Sequence, residues 1–186
     1  MRTLTVKKNS GSQYKPGWHE ISISKANYGE FQGNKFIDIY FEGYPENINL
    51  RVYSKNGQDG EEFAIGRVFR FANAGIKSIS KSSDGDSLVQ IDDSPKELIG
   101  TKLNVYFYKK GQYSSVLTNV APTVFKNDLE EFNEEDVKYW KSKAISYYEQ
   151  YVKDDNSSDN FATETRVDTP ATPANGVKDS TAEMPW

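Results

Sequence analysis

Residues 102–120, KLNVYFYKKGQYSSVLTNV, alternate with a strict period of two. Leu103, Val105 and Phe107 fall on one side, and Asn104, Tyr106 and Tyr108 on the other. A strand sends successive side chains to opposite faces, so this stretch demands a sheet with one face in a core. Lys109, Lys110, Gly111 and Gln112 supply a turn, and residues 113–120 read as the return strand, with Val116, Thr118 and Val120 sharing a face. The opposite face carries tyrosines edged with lysines. Single-stranded nucleic acids bind such surfaces, bases stacking on rings and phosphates drawn to ammonium groups.

The same alternation recurs upstream. After the turn signal Pro16-Gly17, residues 18–25 (WHEISISK) place Ile21 and Ile23 on one face. Residues 26–34 (ANYGEFQGN) read as a glycine-bearing connection. Residues 35–42 (KFIDIYFE) turn Ile37, Ile39 and Phe41 inward, leaving Phe36, Asp38 and Tyr40 opposite. Residues 48–55 place Ile48, Leu50 and Val52 inward, with Arg51, Tyr53 and Lys55 outward. A helix follows, with Asp59 as N-cap, Glu62 three residues later, and Phe63, Ala64, Val68, Phe71 and Ala72 at helical spacing. Gly75 suits the C′ position. Residues 87–91 suggest a short edge strand and residues 95–98 one helical turn.

Three strands, a helix and a hairpin are the element order of a mainly β, five-stranded OB-fold, a Greek-key barrel with its helix between strands 3 and 4. A β-sandwich with an embedded helix is the competing architecture. Beyond residue 126 the composition changes. Asn133 before Glu134, Glu135 and Asp136 opens a C-terminal helix, whose stripe of Val137, Trp140, Ala144, Tyr147, Tyr148 and Tyr151 suits packing on the chain's own body or in a homodimer. The expected organisation is a flexible basic arm (1–16), an OB-fold domain (17–126), an acidic linker with amphipathic helix (127–153) and a disordered acidic tail (154–186).

The chain's net charge of −4 hides an asymmetry: residues 1–126 carry +4, residues 127–153 carry −3 and residues 154–186 carry −5. A basic body with an acidic end remains compatible with a nucleic-acid partner. There is no cysteine and one histidine, His19, so disulfides and cysteine nucleophiles are excluded and a histidine metal cluster is disfavoured. Asp92-Asp93 and Asp84/Asp86 read as turn residues. No phosphate loop or catalytic triad is present; the expectation is a protein with no enzymatic activity, no cofactor and no metal. No apolar run suits a signal peptide or a membrane span, which implies a cytoplasmic protein.

The segments YKPGWHEISISKANYG, KFIDIYFEGY, LRVYSKNG, EEFAIGRVFRFANAGI and ELIGTKLNVYFYKKG resemble bacteriophage single-stranded-DNA-binding proteins of the small OB-fold kind, over about residues 14–123. The acidic tail is similar to those of bacterial and phage single-strand-binding proteins, with Met184-Pro185-Trp186 where bacterial proteins commonly end Ile-Pro-Phe. The resemblance implies a host bacterial cytoplasm and a role in phage replication or recombination, coating DNA without sequence preference. It also implies recruitment of a polymerase, helicase or recombinase through Glu183, Met184, Pro185 and Trp186. The expected DNA-binding residues are Trp18, Tyr40, Arg51, Tyr53, Lys55, Arg67, Arg70, Tyr106, Tyr108, Lys109, Lys110 and Tyr113, with Lys7, Lys8 and Lys15 adding attraction from the arm. The same tyrosines also suit strands covered by residues 76–100 or by the C-terminal helix. A carbohydrate-binding or structural-interaction sandwich is the alternative function.

Overall fold

The computed structural model describes residues 14–58, 60–81 and 87–153. The chain enters β1 (Gly17–Phe31), a strand of 15 residues that absorbs both the expected first strand and the connection after it. Gln32 and Gly33, at φ 52° and 78°, turn it back into β2 (Asn34–Phe41). Both central residues are left-handed, as a two-residue type I′ hairpin requires. β3 (Asn49–Tyr53) and α1 (Ala64–Phe71) follow, then β4 (Ile76–Lys81) and β5 (Ser87–Ile91) as a separate two-stranded sheet. A 3₁₀ turn (Pro95–Leu98) leads into β6 (Lys102–Lys110) and β7 (Tyr113–Val116). The minimal hairpin of β8 (Phe125–Lys126) and β9 (Glu131–Phe132) precedes α2 (Glu134–Tyr147), which runs on into a π-helical turn (Tyr148–Val152).

The main sheet is antiparallel, in the order β3-β2-β1-β6-β7. It is open. β3 and β7 are its edges and no ladder joins them, so the expected OB-fold barrel is not formed. The likeness to small OB-fold single-strand-binding proteins does not describe this chain's fold. The physical reason lies in the return strand, which stops after four residues. Leu117 donates its N–H to the Tyr106 carbonyl (2.9 Å) and buries its side chain. Ala121 and Asn104 exchange backbone hydrogen bonds (3.0 and 3.1 Å), and Asn104 Nδ2 donates to the Pro122 carbonyl (2.7 Å). The outgoing chain thus stays beside β6 instead of pairing with β3. Val116, Thr118 and Val120 do not share a face: Leu117 and Val120 are buried and Thr118 is exposed.

Between β1 and β2 the register slips by one residue at Ser24, a bulge of the kind that bends a strand. Residues 17–22 pair with β6 and residues 23–31 with β2. Below the sheet the inward sets read from the sequence form the core: Ile37, Ile39 and Phe41, Leu50 and Val52, and Leu103, Val105 and Phe107. α1 closes it with Ile65, Val68, Phe69 and Phe71, and its C-cap residue Ala72 is buried beside them.

The helix begins later than its sequence suggests. Asp59 lies outside the described residues, and the N-cap position is Phe63, whose side chain makes no capping bond. Glu62 takes over the task, accepting from the N–H groups of Ala64, Ile65 and Gly66, each at 2.9 Å. A carboxylate here satisfies orphan donors and opposes the positive end of the helix dipole. At the other end Asn73, at φ 52°, is the C′ residue, with Ala74 N–H bonded to Phe69 O (2.9 Å) in a Schellman arrangement. Gly75 serves a different need. A Cβ there would lie 2.1 Å from the Asp92 carbonyl, and its φ is +65°.

α2 is capped by Asn133, which accepts from Glu135 and Asp136 N–H while Asp136 returns a bond to the Asn133 N–H. Phe132 joins the core, and Trp140 packs on Phe71 with ring centroids 4.9 Å apart. Phe132 and Trp140 are therefore docked on Phe71 at the end of α1. Among the described residues no helix is long and apolar enough to cross a membrane.

Candidate nucleic-acid interface

The ladders β1–β2 and β2–β3 align three rows of outward residues: Lys25, Tyr40 and Asn49; Asn27, Asp38 and Arg51; Gly29, Phe36 and Tyr53. Each row interlocks with the next. Arg51 donates from Nε and Nη2 to the two Asp38 oxygens at 2.8 and 2.7 Å. Asn49 Nδ2 donates to Asp38 Oδ1 at 3.0 Å. The Arg51 guanidinium lies 3.9 Å from the Phe36 ring centroid, and Tyr53 meets that ring edge-on at 5.5 Å. The hydrogen bond to Asp38 raises the Arg51 pKa above its ordinary value. Lys25 Nζ stands 5.0 Å above the Tyr40 ring.

Gly29 makes this packing possible. A Cβ on Gly29 would sit 2.5 Å from Phe36 Cζ, so the Phe36 ring occupies the space a side chain would take. The ring is thus held flat on the sheet between glycine and guanidinium. Tyr53 remains 38% exposed, and Lys55, two residues past β3, is exposed.

The other expected strip has a different environment. Trp18 faces Tyr106 across β1–β6, with ring centroids 5.4 Å apart, and Tyr108 follows on the same face. Tyr148, from the π-helical turn, lies against both tyrosines at 5.4 and 5.2 Å. Burial raises the hydroxyl pKa of Tyr106 and of Tyr108. Lys141 Nζ stands 5.5 Å from the Trp18 ring, and burial lowers its pKa. Tyr148 and Lys141 thus partly cover this half of the tyrosine face, where Trp18, Tyr106 and Tyr108 are each half-buried.

Arg67 and Arg70 also face protein. Arg70 is paired with Glu130, donating from Nε at 2.6 Å, and lies 5.3 Å from the Phe132 ring. Arg67 lies 5.6 Å from the Trp140 ring, and burial lowers its pKa. Both clasp residues 130–140 onto α1. In the β6–β7 hairpin, Lys109 Nζ bonds Ser114 Oγ (3.0 Å), Lys110 is exposed and Tyr113 is 68% exposed. Tyr113, Ser114 and Ser115 line a shallow cleft with Tyr14, Pro45 and Ile48, placing the hairpin beside the β2–β3 turn. That turn is fixed by Tyr44, sandwiched between Tyr14 (4.9 Å) and Phe107 (5.1 Å).

His19 is structural: its Nε2 lies 2.7 Å from the Lys15 carbonyl and its ring meets Phe107 edge-on. Among the described residues no group of three or more histidines, aspartates or glutamates could hold a metal ion. Lys7, Lys8, Asp84, Asp86 and the terminal Glu183, Met184, Pro185 and Trp186 lie outside the described residues.

The structure unites Tyr40, Arg51 and Tyr53 on the outer face of β2 and β3, with exposed Lys55 two residues past β3, and sets them apart from Trp18, Tyr106 and Tyr108, against which Tyr148 and Lys141 pack. Sequence reasoning missed Lys25, Gly29, Phe36 and Asp38 as members of the site. The alternation had put Phe36 and Asp38 on the outward face; only the register shows that they meet Tyr53 and Arg51. The chain matches no family model, no curated protein and no solved structure.

Proposed function

We propose that the protein binds single-stranded DNA without sequence preference along the outer face of β1, β2 and β3. The observation that carries this reading is the interlocked lattice of rings and cations, in which Tyr53 offers a partly exposed ring in the row next to Arg51, and Lys25 stands over Tyr40. Rings stack on bases of any identity and cations follow the phosphates, so such a face has no means of reading sequence. The support is surface chemistry alone, independent of any barrel. The acidic residues 154–186 would then recruit replication or recombination proteins, with Met184, Pro185 and Trp186 as the apolar end of a docking peptide.

A gel shift with oligo-dT in the presence of duplex competitor tests the reading. The single strand is retained, duplex fails to displace it, and retention falls as salt rises. Equal competition by duplex, or no retention at low salt, sinks it.

A further inference from the structure

We propose that the outer face of β1 and β6 is a second stacking site for a single strand, built from Trp18, Tyr106 and Tyr108, and that Tyr148 occupies it in place of a nucleobase. This inference rests on the single-strand reading above.

The three rings form a continuous strip. Trp18 and Tyr106 are cross-strand partners, and Tyr108 lies two residues further along the same face of β6. Tyr148 rests on the strip with its ring tilted by 54° and 52° to Tyr106 and Tyr108, at separations within the range of aromatic pairs. Glu149, the next residue, sets a negative charge near Tyr106, and Lys141 supplies a cation at Trp18. A ring followed by an anion, beside a cation, is the chemical outline of a nucleotide on a binding strip.

The cover is held unevenly. α2 is anchored by Val137, by Trp140 against Phe71 and by Ala144, whereas no residue of Tyr148–Val152 is fully buried. At Tyr148 the helix also changes from α to π hydrogen bonding, a local irregularity common at functional sites. The last turn can therefore lift away while Trp140 keeps α2 in place.

The test uses the full chain, Tyr148→Ala and Tyr148→Phe, titrated with oligo-dT of increasing length, with thermal unfolding to establish that each is folded. Tyr148→Ala should bind long oligo-dT about fivefold or more tighter, with an occluded length greater by on the order of two nucleotides. Tyr148→Phe should match the parent, and adding Trp18→Ala to Tyr148→Ala should abolish the gain. Equal affinity and footprint for the parent and Tyr148→Ala overturns the second site while leaving the β2–β3 face intact. Absence of binding by every form overturns the single-strand reading and the second site with it. Photo-cross-linking of the unaltered chain to long oligo-dT needs no variant. Cross-links reaching Trp18, Tyr106 or Tyr108 are expected, and their confinement to Tyr40 and Tyr53 at saturation overturns the proposal.

Discussion

Arg51 and Asp38 form a two-pronged ion pair across neighbouring strands, with both oxygens of the carboxylate engaged. The Asp38 side chain is only 12% exposed, whereas that of Arg51 is 44% exposed. The aspartate therefore positions the arginine, fixing its guanidinium over Phe36 while one face stays open to solvent. Asp38→Asn removes the charge that orients Arg51 and is expected to lower the urea midpoint. Arg51→Lys should do the same, since an ammonium cannot bridge both oxygens. Midpoints equal to the parent's would show that the pair does not order this face.

Gly29→Ala forces the Phe36 ring off the sheet and costs about 1–3 kcal/mol, as overpacking does. Phe36→Leu in the same chain should recover part of that loss. A double-mutant cycle reads the coupling, and strict additivity would mean that the ring can move freely.

Tyr53→Ala should weaken oligo-dT binding by ~1–3 kcal/mol and, because the ring also meets Phe36 edge-on, lower the unfolding midpoint slightly. Lys55→Ala should reduce the salt dependence by about 0.7 in the slope of log K against log salt if it meets one phosphate. Fluorescence titrations at several salt concentrations measure both.

Asp92 accepts a hydrogen bond from the Ser94 N–H (3.2 Å) and pairs with Lys77 (3.4 Å), and these contacts, the backbone bond first, hold its carboxyl below the usual carboxylate range. Its pKa is depressed by folding, so the stabilisation is complete above the ordinary value of about 3.9 and is lost as pH falls through the lower folded value. Asp92→Asn should melt earlier than the parent at pH 6, with the difference closing toward pH 2. A gap that persists in acid would place the cause elsewhere.

Asn133→Ala removes a capping box and should cost about 1 kcal/mol. Hydrogen exchange should locate the loss in residues 134–147. Uniform loss across the sheet would argue against a local cap.

The inward residues of β2, β3 and β6 were legible because alternation is local: Ile37, Leu50 and Val105 announce their face in sequence. Residues 26–31 hid their strand character because that arm of the β1–β2 hairpin is largely exposed, with Ala26 alone fully buried, so no apolar alternation marks it. The closed barrel was misread for a related reason. Thr118 continues the alternation on paper, yet Leu117 takes the core position, and only the pairing of Ala121 with Asn104 reveals where the chain goes. Arg67 and Arg70 read as expected DNA-binding residues, but their partners, Trp140 and Glu130, come from sixty or more residues later. The aromatic stripe of α2 was visible too; that Tyr148 lands on Tyr106 is a tertiary fact that spacing does not contain.

The division of β1 between two partners has a kinetic consequence. Its second half meets β2 through a two-residue turn, a closure completed in microseconds. Its first half meets β6 in a register where Gly17 opposes Phe107, ninety positions away, so that ladder must wait for a large loss of chain entropy. Refolding should be governed by the β1–β6 ladder, with the bulge at Ser24 as the boundary between an early hairpin and a late seam.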